Sequence, residues 1–222
     1  MIDSHCHLDF PDYDHDRDEV VARARAAGLS DVLIPGTSSA TWDRTRACAE
    51  KYGFSYAIGV HPWFVEDVGE LPLRGASAVG EIGLDRGRPD MARQREVLVA
   101  QLAQAKDHGL PVILHCVRAH AVLLEELRPF APLGGILHSW SGSAEMVPAF
   151  AAMGLSFGFG GVVTWPNAKR WRRSVLAVPE GRLCFESDGP DQAIEARRGG
   201  RSEPADVIVV REVIEALRAG RI

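Results

Sequence analysis

His5 and His7 flank a cysteine at the end of a short apolar run near the start of the chain. In an extended strand, alternate side chains point to the same face, so both imidazoles are expected on one side and Cys6 on the other. Two imidazoles in this arrangement can bind one divalent cation. An isolated His-x-His pair is more often two ordinary polar residues, so the rest of the chain must decide between these interpretations.

Further residues of metal-ligating types follow other β-type runs of the chain, namely His61, Glu81, His115, His138 and Asp188. Each of them stands at or just after the carboxyl end of its run. In a parallel barrel these ends meet on one face, which is where barrel enzymes carry out their chemistry. Residues of ligand type that all obey one positional rule favour a shared metal site over a set of unrelated structural roles.

Short β-type runs alternate with helical stretches along the whole chain. The runs are Ile2–Leu8, Asp31–Gly36, Phe54–Val60, Ser77–Ile82, Pro111–Cys116, Gly135–Ser139, Leu155–Gly160 and Leu183–Ser187. The helical stretches are Asp14–Gly28, Thr41–Tyr52, Met91–Gly109, Ala119–Leu127, Ser143–Gly154 and Glu203–Gly220. This alternation predicts a compact (β/α)8 TIM barrel that forms one domain over residues 1–222. An open doubly wound sheet is the alternative, but no glycine-rich phosphate loop follows the first run.

The composition limits which classes of protein this chain can belong to. Its 222 residues are 46% hydrophobic and carry a formal net charge of −5. This charge argues against a protein that coats nucleic acid electrostatically, but not against an enzyme that acts on one strand end. The sequence has no apolar stretch of about 18 residues, and the first histidine pair comes too early to leave room for a signal peptide. We therefore expect a cytoplasmic, monomeric protein that makes no membrane contact.

Six segments resemble those of a known family in their residues, their order along the chain and their spacing. They are Asp3–Asp9, Gly59–Pro62, Gly80–Asp85, Leu110–His115, His138–Ser143 and Glu186–Pro190. Together they resemble the signature blocks of the TatD-type metal-dependent hydrolases, a branch of the amidohydrolase-like superfamily. The resemblance implies a TIM barrel with a divalent-metal centre that hydrolyses phosphodiester bonds, typically in DNA. It further implies a deoxyribonuclease of the 3′–5′ exonuclease type, with single-stranded DNA or a DNA end as substrate.

The resemblance also implies roles for individual residues and a pair of divalent cations, with Mg²⁺, Mn²⁺ and Zn²⁺ as the candidates. One metal would be bound by His5, His7, Glu81 and Asp188, and the other by Glu81, His115 and His138. Glu81 would then bridge both ions, since each of its two oxygens can bind a different cation. His61 matches a family histidine that is not a ligand, so we assign it to phosphate binding or to stabilisation of the leaving group.

The chemistry of such a centre suggests further roles. A pair of metal ions lowers the pKa of a bound water and stabilises charge on the attacking and leaving oxygens. Asp188 is the candidate general base, because a carboxylate beside that water can accept its proton. Glu81, Asp188 and His61 are therefore the expected catalytic residues. Glu186 precedes Asp188 by two positions, and either orients a ligand or balances charge deeper in the barrel.

Five other side chains are candidates for contacts around the site. Asp85 could hold a histidine ligand in place or cap the turn that it starts, and Arg118 could pair with a phosphate oxygen. Trp63 and Trp140 each follow a predicted strand, as does Trp165, so these rings could lie at the rim of the site and stack on bases. A solvated arginine and tryptophans that pack loops onto the barrel are the alternative interpretations.

The chain departs from the family pattern in one loop that borders the predicted centre. Arg86-Gly87-Arg88 stands where the family usually has a tyrosine after the glutamate-containing block. Because loops determine specificity in this fold, the substrate stays open at this point. A hydrolase of a small ester, lactone, amide or aminoacyl ester is one alternative to a nuclease, and a noncatalytic barrel that only binds its ligand is another.

Overall fold

A computed structural model describes residues 1–65 and 68–222, and the strands in this part of the chain are all parallel. Their bounds are β1 Ile2–Asp3, β2 Asp31–Val32, β3 Ile34–Pro35, β4 Tyr56–Ile58, β5 Ala78–Asp85, β6 Val112–Val117, β7 Gly135–Leu137, β8 Ser156–Phe159 and β9 Leu183–Phe185. Every predicted run contains a strand, and the second run contains two. This division arises because β2 pairs with β1 whereas β3 pairs with β4.

The strands form a closed barrel. Strands β3 to β9 are neighbours in chain order within one sheet, and β1 pairs with β2. The segment that follows β1 joins the two edges of this arrangement through backbone hydrogen bonds. On one side the Ser4 amide donates to the Phe185 carbonyl at 3.0 Å, and on the other the Cys6 amide donates to the Leu33 carbonyl at 3.1 Å. The predicted TIM barrel is therefore confirmed, whereas the alternative of an open sheet is wrong.

Helices alternate with the strands. They are α1 Arg17–Ala26, α2 Trp42–Tyr52, α3 Met91–His108, α4 His120–Leu127, α5 Val147–Ala152, α6 Lys169–Ala177 and α7 Val207–Arg218. Each predicted helical stretch contains one, and the helix at Lys169–Ala177 lies outside those stretches. The longest, α3, begins where the Asp90 side chain accepts a hydrogen bond from the Arg93 amide, and ends at Gly109 with a left-handed φ of 64°. Glycine adopts that conformation without steric cost, which explains the stop signal in the sequence.

The core fills both the barrel and the layer between its strands and the helices. Trp140, Phe150 and Phe157 form one fully buried aromatic group in that outer layer, with ring centroids 5.0–5.5 Å apart. Such edge-to-face pairs add packing energy beyond the area that they bury. In the described ranges, no helix combines the length and the apolar character that crossing a membrane requires.

Candidate metal centre

The ligand-type residues converge at the carboxyl ends of the strands, as the sequence predicts. Backbone hydrogen bonds to neighbouring strands fix the positions from which these side chains enter the barrel. The Glu81 amide donates to the Gly36 carbonyl at 2.7 Å, and the His138 amide donates to the Leu114 carbonyl at 3.1 Å. The Asp188 amide donates to the His5 carbonyl at 2.9 Å, which brings the last strand position against the first.

Glu81 lies at the centre of this cluster, and its two oxygens face different histidines. Oε2 lies 3.2 Å from His5 Nε2 and 3.3 Å from His7 Nε2. Oε1 lies 2.8 Å from His115 Nδ1 and 2.9 Å from His138 Nε2. The carboxylate thus stands between two groups of imidazole nitrogens, one on each side.

Asp188 lies beside His5 and His138, from the segment that follows the last strand. Its Oδ1 lies 3.5 Å from His5 Nε2 and 3.9 Å from His138 Nδ1. The imidazole rings of His5 and His138 are stacked, with centroids 3.9 Å apart. Asp188 has a left-handed φ of 50°, an uncommon conformation for a residue other than glycine. Its carboxylate is thereby placed at the end of the strand rather than along it.

The pKa values of these groups follow from burial and from their mutual charges. Burial raises the pKa of the Glu81 carboxyl, but the surrounding histidines His138, His61 and His5 outweigh this effect and bring it well below its usual range. Burial lowers the pKa of His5 well below its ordinary value, and the neighbouring His138 adds to this shift. A neutral imidazole and an ionised carboxylate are the forms that can donate electron pairs to a cation.

The arrangement satisfies the requirements of divalent cations. Among the described residues, three groups have ligand atoms within 4.8 Å of one another: His5, His7 and Glu81; His5, His138 and Asp188; His61, Glu81 and His115. Ligands bound at about 2.1 Å to one tetrahedral ion lie roughly 3.4 Å apart. The distances from Glu81 Oε2 to His5 and His7, 3.2 and 3.3 Å, are close to this value, whereas those from Oε1 to His115 and His138 are shorter. Glu81 Oε2 is buried and has no hydrogen-bond partner among the residues that the structure describes, so a cation would satisfy this acceptor.

His61 joins the cluster from the loop after β4. Its Nε2 lies 3.2 Å from Glu81 Oε1, and its ring contacts that of His115 edge-on at a centroid distance of 4.4 Å. Burial lowers the pKa of His61 to about 4. The sequence prediction of a role in phosphate binding or leaving-group stabilisation stays a prediction, because His61 is as close to Glu81 as the predicted ligands are.

Asp85 caps a turn and lies near His115, and its predicted role in holding that histidine stays a prediction. Its Oδ2 lies 3.8 Å from His115 Nε2 and accepts a hydrogen bond of 2.6 Å from Trp63 Nε1. Its Oδ1 accepts a hydrogen bond of 2.7 Å from the Gly87 amide. Nδ1 is the ring nitrogen of His115 that faces Glu81, so Nε2 is left on the side of Asp85.

Glu186 lies beneath the cluster and is fully buried. It accepts a hydrogen bond from the Ser139 amide, and its Oε1 lies 4.0 Å from His138 Nδ1. Burial, together with the nearby Asp188 carboxylate, raises the pKa of Glu186 well above its usual range. Gly158 makes room for this side chain, since a Cβ there would come 2.0 Å from Glu186 Oε2. Both predicted roles, orienting a ligand and balancing charge deeper in the barrel, stay predictions at this distance from His138.

Asp3 is a buried residue that the sequence analysis did not single out. One of its oxygens accepts hydrogen bonds from the His5 amide at 3.2 Å and the Ser187 amide at 3.0 Å, and the other accepts from the Ser187 hydroxyl at 2.6 Å. It therefore joins the two backbone segments that carry His5 and Asp188. The sequence signal that could have identified Asp3 was its position in the first signature block.

Gln192 is a second residue that sequence reasoning missed. Its Nε2 donates hydrogen bonds to Asp188 Oδ2 and, at 2.5 Å, to the Ser139 hydroxyl. Gln192 lies in a loop and has a left-handed φ of 51°, so no strand or helix periodicity points to it. The amide orients the Asp188 carboxylate so that Oδ1 is directed towards His5.

Replacing Gln192 by alanine is expected to lower kcat by about 10- to 100-fold, the usual loss when a residue that orients a metal ligand is removed. The measurement is hydrolysis of a model phosphodiester under saturating metal. Gln104→Ala is the matched control, because Gln104 bonds only to the backbone of Gly69 and Leu71 in the contacts that the structure describes. Wild-type kcat in Gln192→Ala would remove the positioning role.

A cavity of about 370 Å³ opens above the cluster. Its lining includes Glu81, His115, His138 and Asp188 at the floor and Phe10, Trp63 and Phe64 at the mouth. Trp63 thus occupies the rim position predicted for it. Trp165 lies elsewhere, half-buried, with its Nε1 donating to the Ala193 carbonyl at 3.0 Å.

The prediction that Trp140 contacts substrate is wrong. Its side chain is only 1% exposed and packs between Phe150 and Phe157 in the layer between sheet and helices. The reason lies in the backbone of the preceding residue, because Ser139 has a left-handed φ of 45°. The alternation of a strand ends there, so Trp140 does not share the inward direction of His138.

Arg118 follows β6 with an exposed side chain and a left-handed φ of 53°. It is not among the described residues that line the cavity. A contact with the phosphate at the reacting bond therefore receives no support. The solvated arginine that was the alternative fits its position, and contact with a more distant part of the substrate stays a prediction.

Comparisons with known proteins agree with this geometry. The family model described as TatD related DNase matches residues 2–221. An uncharacterized metal-dependent hydrolase of Escherichia coli, YjjV, is 35% identical over 98% of this chain and 90% of its own. Its crystal structure superposes with a TM-score of 0.90 at 33% identity, again covering 98% of this chain and 90% of that one.

A relative with a named activity is the 3'-5' ssDNA/RNA exonuclease TatD of Cronobacter sakazakii. It is 37% identical over 86% of this chain and 78% of its own length. Family membership argues against the noncatalytic barrel that the sequence left as an alternative. With six ligand-type side chains gathered around Glu81 in a parallel barrel, and the family model matched from end to end, this chain belongs to the TatD family of metal-dependent hydrolases, enzymes that act on ester bonds.

Proposed function

We propose that this enzyme is a deoxyribonuclease that removes nucleotides from the 3′ end of single-stranded DNA with the help of two divalent cations. The description of the matching family and the printed activity of the Cronobacter relative support the substrate class. A cavity of about 370 Å³ with carboxylates and imidazoles at its floor is compatible with a single strand end. The cytoplasmic location and monomeric state expected from the sequence stay predictions.

The observation that carries this proposal is the position of Glu81 between two sets of imidazoles. Oε2 faces His5 and His7, whereas Oε1 faces His115 and His138. A carboxylate that offers each oxygen to a different group is suited to bridge a pair of ions about 3.5–4 Å apart. Such a pair would supply an activated water and stabilise charge on the attacking and leaving oxygens of a phosphodiester.

The side chains around this centre have distinct tasks in the proposed reaction. Asp188 accepts the proton of the water as the new bond to phosphorus forms and the bond to the leaving sugar oxygen breaks. His61, beside Glu81 at the cavity wall, donates a hydrogen bond to a phosphate oxygen. Asp85 and Gln192 hold His115 and Asp188 in the orientations that these steps require.

The donor set also bears on which cation the enzyme uses. Mixed imidazole and carboxylate ligands suit zinc and manganese better than magnesium, which prefers oxygen ligands and keeps several waters. Five histidines surround one central carboxylate here, so Mn²⁺ and Zn²⁺ are expected to support higher activity than Mg²⁺.

The test is cleavage of single-stranded DNA labelled at its 5′ end by metal-stripped protein, with Mg²⁺, Mn²⁺ or Zn²⁺ restored in turn. We expect a ladder that shortens from the 3′ end, depends on added metal and is absent in Asp188→Ala. An intact substrate under every metal, together with metal-dependent hydrolysis of a carboxylic ester, would instead assign the enzyme to small esters, lactones or amides.

A further inference from the structure

Two large aromatic side chains stand exposed at the mouth of the cavity. Trp63 and Phe64, called here the aromatic lip, are each 50% exposed, whereas the other aromatic rings of the site region are largely covered. Both line the cavity whose floor contains Glu81 and His115. Large aromatic surface left exposed beside a reactive centre is typical of a binding surface rather than of a core.

Trp63 is held firmly despite this exposure. Its Nε1 donates to Asp85 Oδ2 at 2.6 Å, and its backbone amide donates to His61 Nδ1 at 3.2 Å. The guanidinium carbon of Arg88 lies 4.0 Å from the centre of its ring. Arg88 belongs to the segment that departs from the family pattern, so this contact is a feature of this particular loop. An exposed ring that is already ordered loses little entropy when a ligand stacks on it.

The cavity is polar at its floor and aromatic at its mouth, which matches the polar phosphate and the aromatic base of a nucleotide. Carboxylates and imidazoles surround the position where a phosphodiester would react, and aromatic carbon lies above them. The volume of about 370 Å³ is near the lower end for small-molecule sites, which suits one nucleotide at a time. Arg88 also places a positive charge beside this mouth, in a chain whose net charge is −5.

We propose that the aromatic lip binds the nucleobase of the terminal nucleotide by stacking, an inference that rests on the nuclease function proposed above. Stacking uses the face of the base, which every base offers, so the lip would recognise a nucleotide without selecting its sequence. A terminal base that is paired in a duplex is held by its partner and must first be unpaired before it can turn into the cavity. The lip therefore makes the enzyme selective for an unpaired 3′ end.

A purely structural role for Trp63 makes a different prediction. Its hydrogen bond to Asp85 braces the residue behind His115, so loss of the indole would lower activity on every substrate equally. A base-binding role instead lowers activity only when the substrate has a terminal base. Trp63→Phe separates the two roles, because phenylalanine keeps a ring for stacking but cannot donate to Asp85.

The experiment compares two single-stranded oligonucleotides that differ only at the 3′-terminal residue. One ends in a normal nucleotide and the other in an abasic sugar attached through the same phosphodiester. For the metal-loaded wild-type enzyme we expect kcat/KM to be about 5- to 150-fold higher with the base present, the range that corresponds to one aromatic stacking contact.

The variants identify the residue responsible. Trp63→Ala is expected to lose most of this preference, and Trp63→Phe to keep it even if its kcat falls on both substrates. Trp165→Ala is the matched control. The guanidinium carbon of Arg198 lies 4.5 Å from the centre of the Trp165 ring, but Trp165 is not among the described residues that line the cavity. That control should retain the wild-type preference.

The possible failures are distinguishable. Equal cleavage of both oligonucleotides by the wild-type enzyme, or an unchanged preference in Trp63→Ala, would overturn the stacking role and leave the nuclease function intact. Cleavage of neither oligonucleotide by the metal-loaded enzyme would overturn the nuclease function, and the inference with it.

Discussion

Replacing Glu81 by alanine is expected to lower kcat by about a thousandfold or more while the barrel stays folded. Both oxygens of Glu81 face imidazole nitrogens at 2.8–3.3 Å, one oxygen towards each half of the cluster. Removing the carboxylate would leave these histidines without a bridge and is expected to abolish the binding of a closely spaced ion pair. A loss of this size corresponds to about 4 kcal/mol of transition-state stabilisation.

Two quantities are measured for the purified variant: its turnover on single-stranded DNA and its metal content. Glu81→Ala should bind neither cation tightly, and its thermal unfolding should no longer respond to added Mn²⁺ or Zn²⁺. Glu50→Ala, which removes an exposed carboxylate on α2, is the control for a general loss of negative charge. Wild-type turnover in Glu81→Ala would exclude the bridging role and the mechanism built on it.

The positional rule explains why so much of the centre could be predicted from the sequence. His5, His115 and His138 each stand next to an apolar run, and a parallel barrel brings the ends of such runs together whatever the intervening loops are. Period-two alternation also placed His5 and His7 on one side, and their Nε2 atoms lie 3.3 Å apart. Both results depend on strand geometry alone, which short apolar runs encode well.

The residues that escaped prediction depend on backbone conformations that no simple pattern encodes. Gln192 reaches Asp188 from a loop, and Trp140 turns away from the site because Ser139 is left-handed. Asp3 has a visible place in the sequence, but its role requires knowing that Ser187 lies beside it at a separation of 184 residues. Loop torsions and contacts across the barrel arise only when the barrel closes. They can therefore be seen in the folded structure but not predicted from the sequence pattern.

The same reasoning separates the two kinds of tryptophan. Trp63 and Trp140 both follow predicted strands, and the sequence gives them the same expected role. One is half exposed at the cavity mouth and the other is buried against Phe150 and Phe157. Their difference arises from one backbone torsion and from the packing partners that α5 and β8 provide. Residue type and position along the chain are therefore sufficient for ligands at strand ends but not for aromatic side chains beyond them.

Asp188→Asn is expected to lower kcat by about 100- to 10,000-fold, the range associated with loss of a general base. Asparagine has nearly the same shape and can still accept the hydrogen bond from Gln192, so the surrounding structure should be retained. Burial raises the pKa of the Asp188 carboxyl, and His138 and His7 oppose this shift. A group held in this way can bind a proton that an amide cannot, so the loss should fall on kcat more than on KM.

Metal content distinguishes this variant from the loss of Glu81. Asp188 lies closer to His5 than to His138, at 3.5 Å against 3.9 Å. Asp188→Asn should therefore weaken the cation proposed at His5 and His7 more than the cation proposed at Glu81, His115 and His138. Elemental analysis of the dialysed proteins then separates the two residues: Glu81→Ala loses both cations, and Asp188→Asn retains about half of the wild-type content. Full activity in Asp188→Asn would assign the proton acceptor to another group. Low activity with complete loss of metal would instead show that Asp188 acts only as a metal ligand. The loss of the cations would then explain the loss of turnover without a general base.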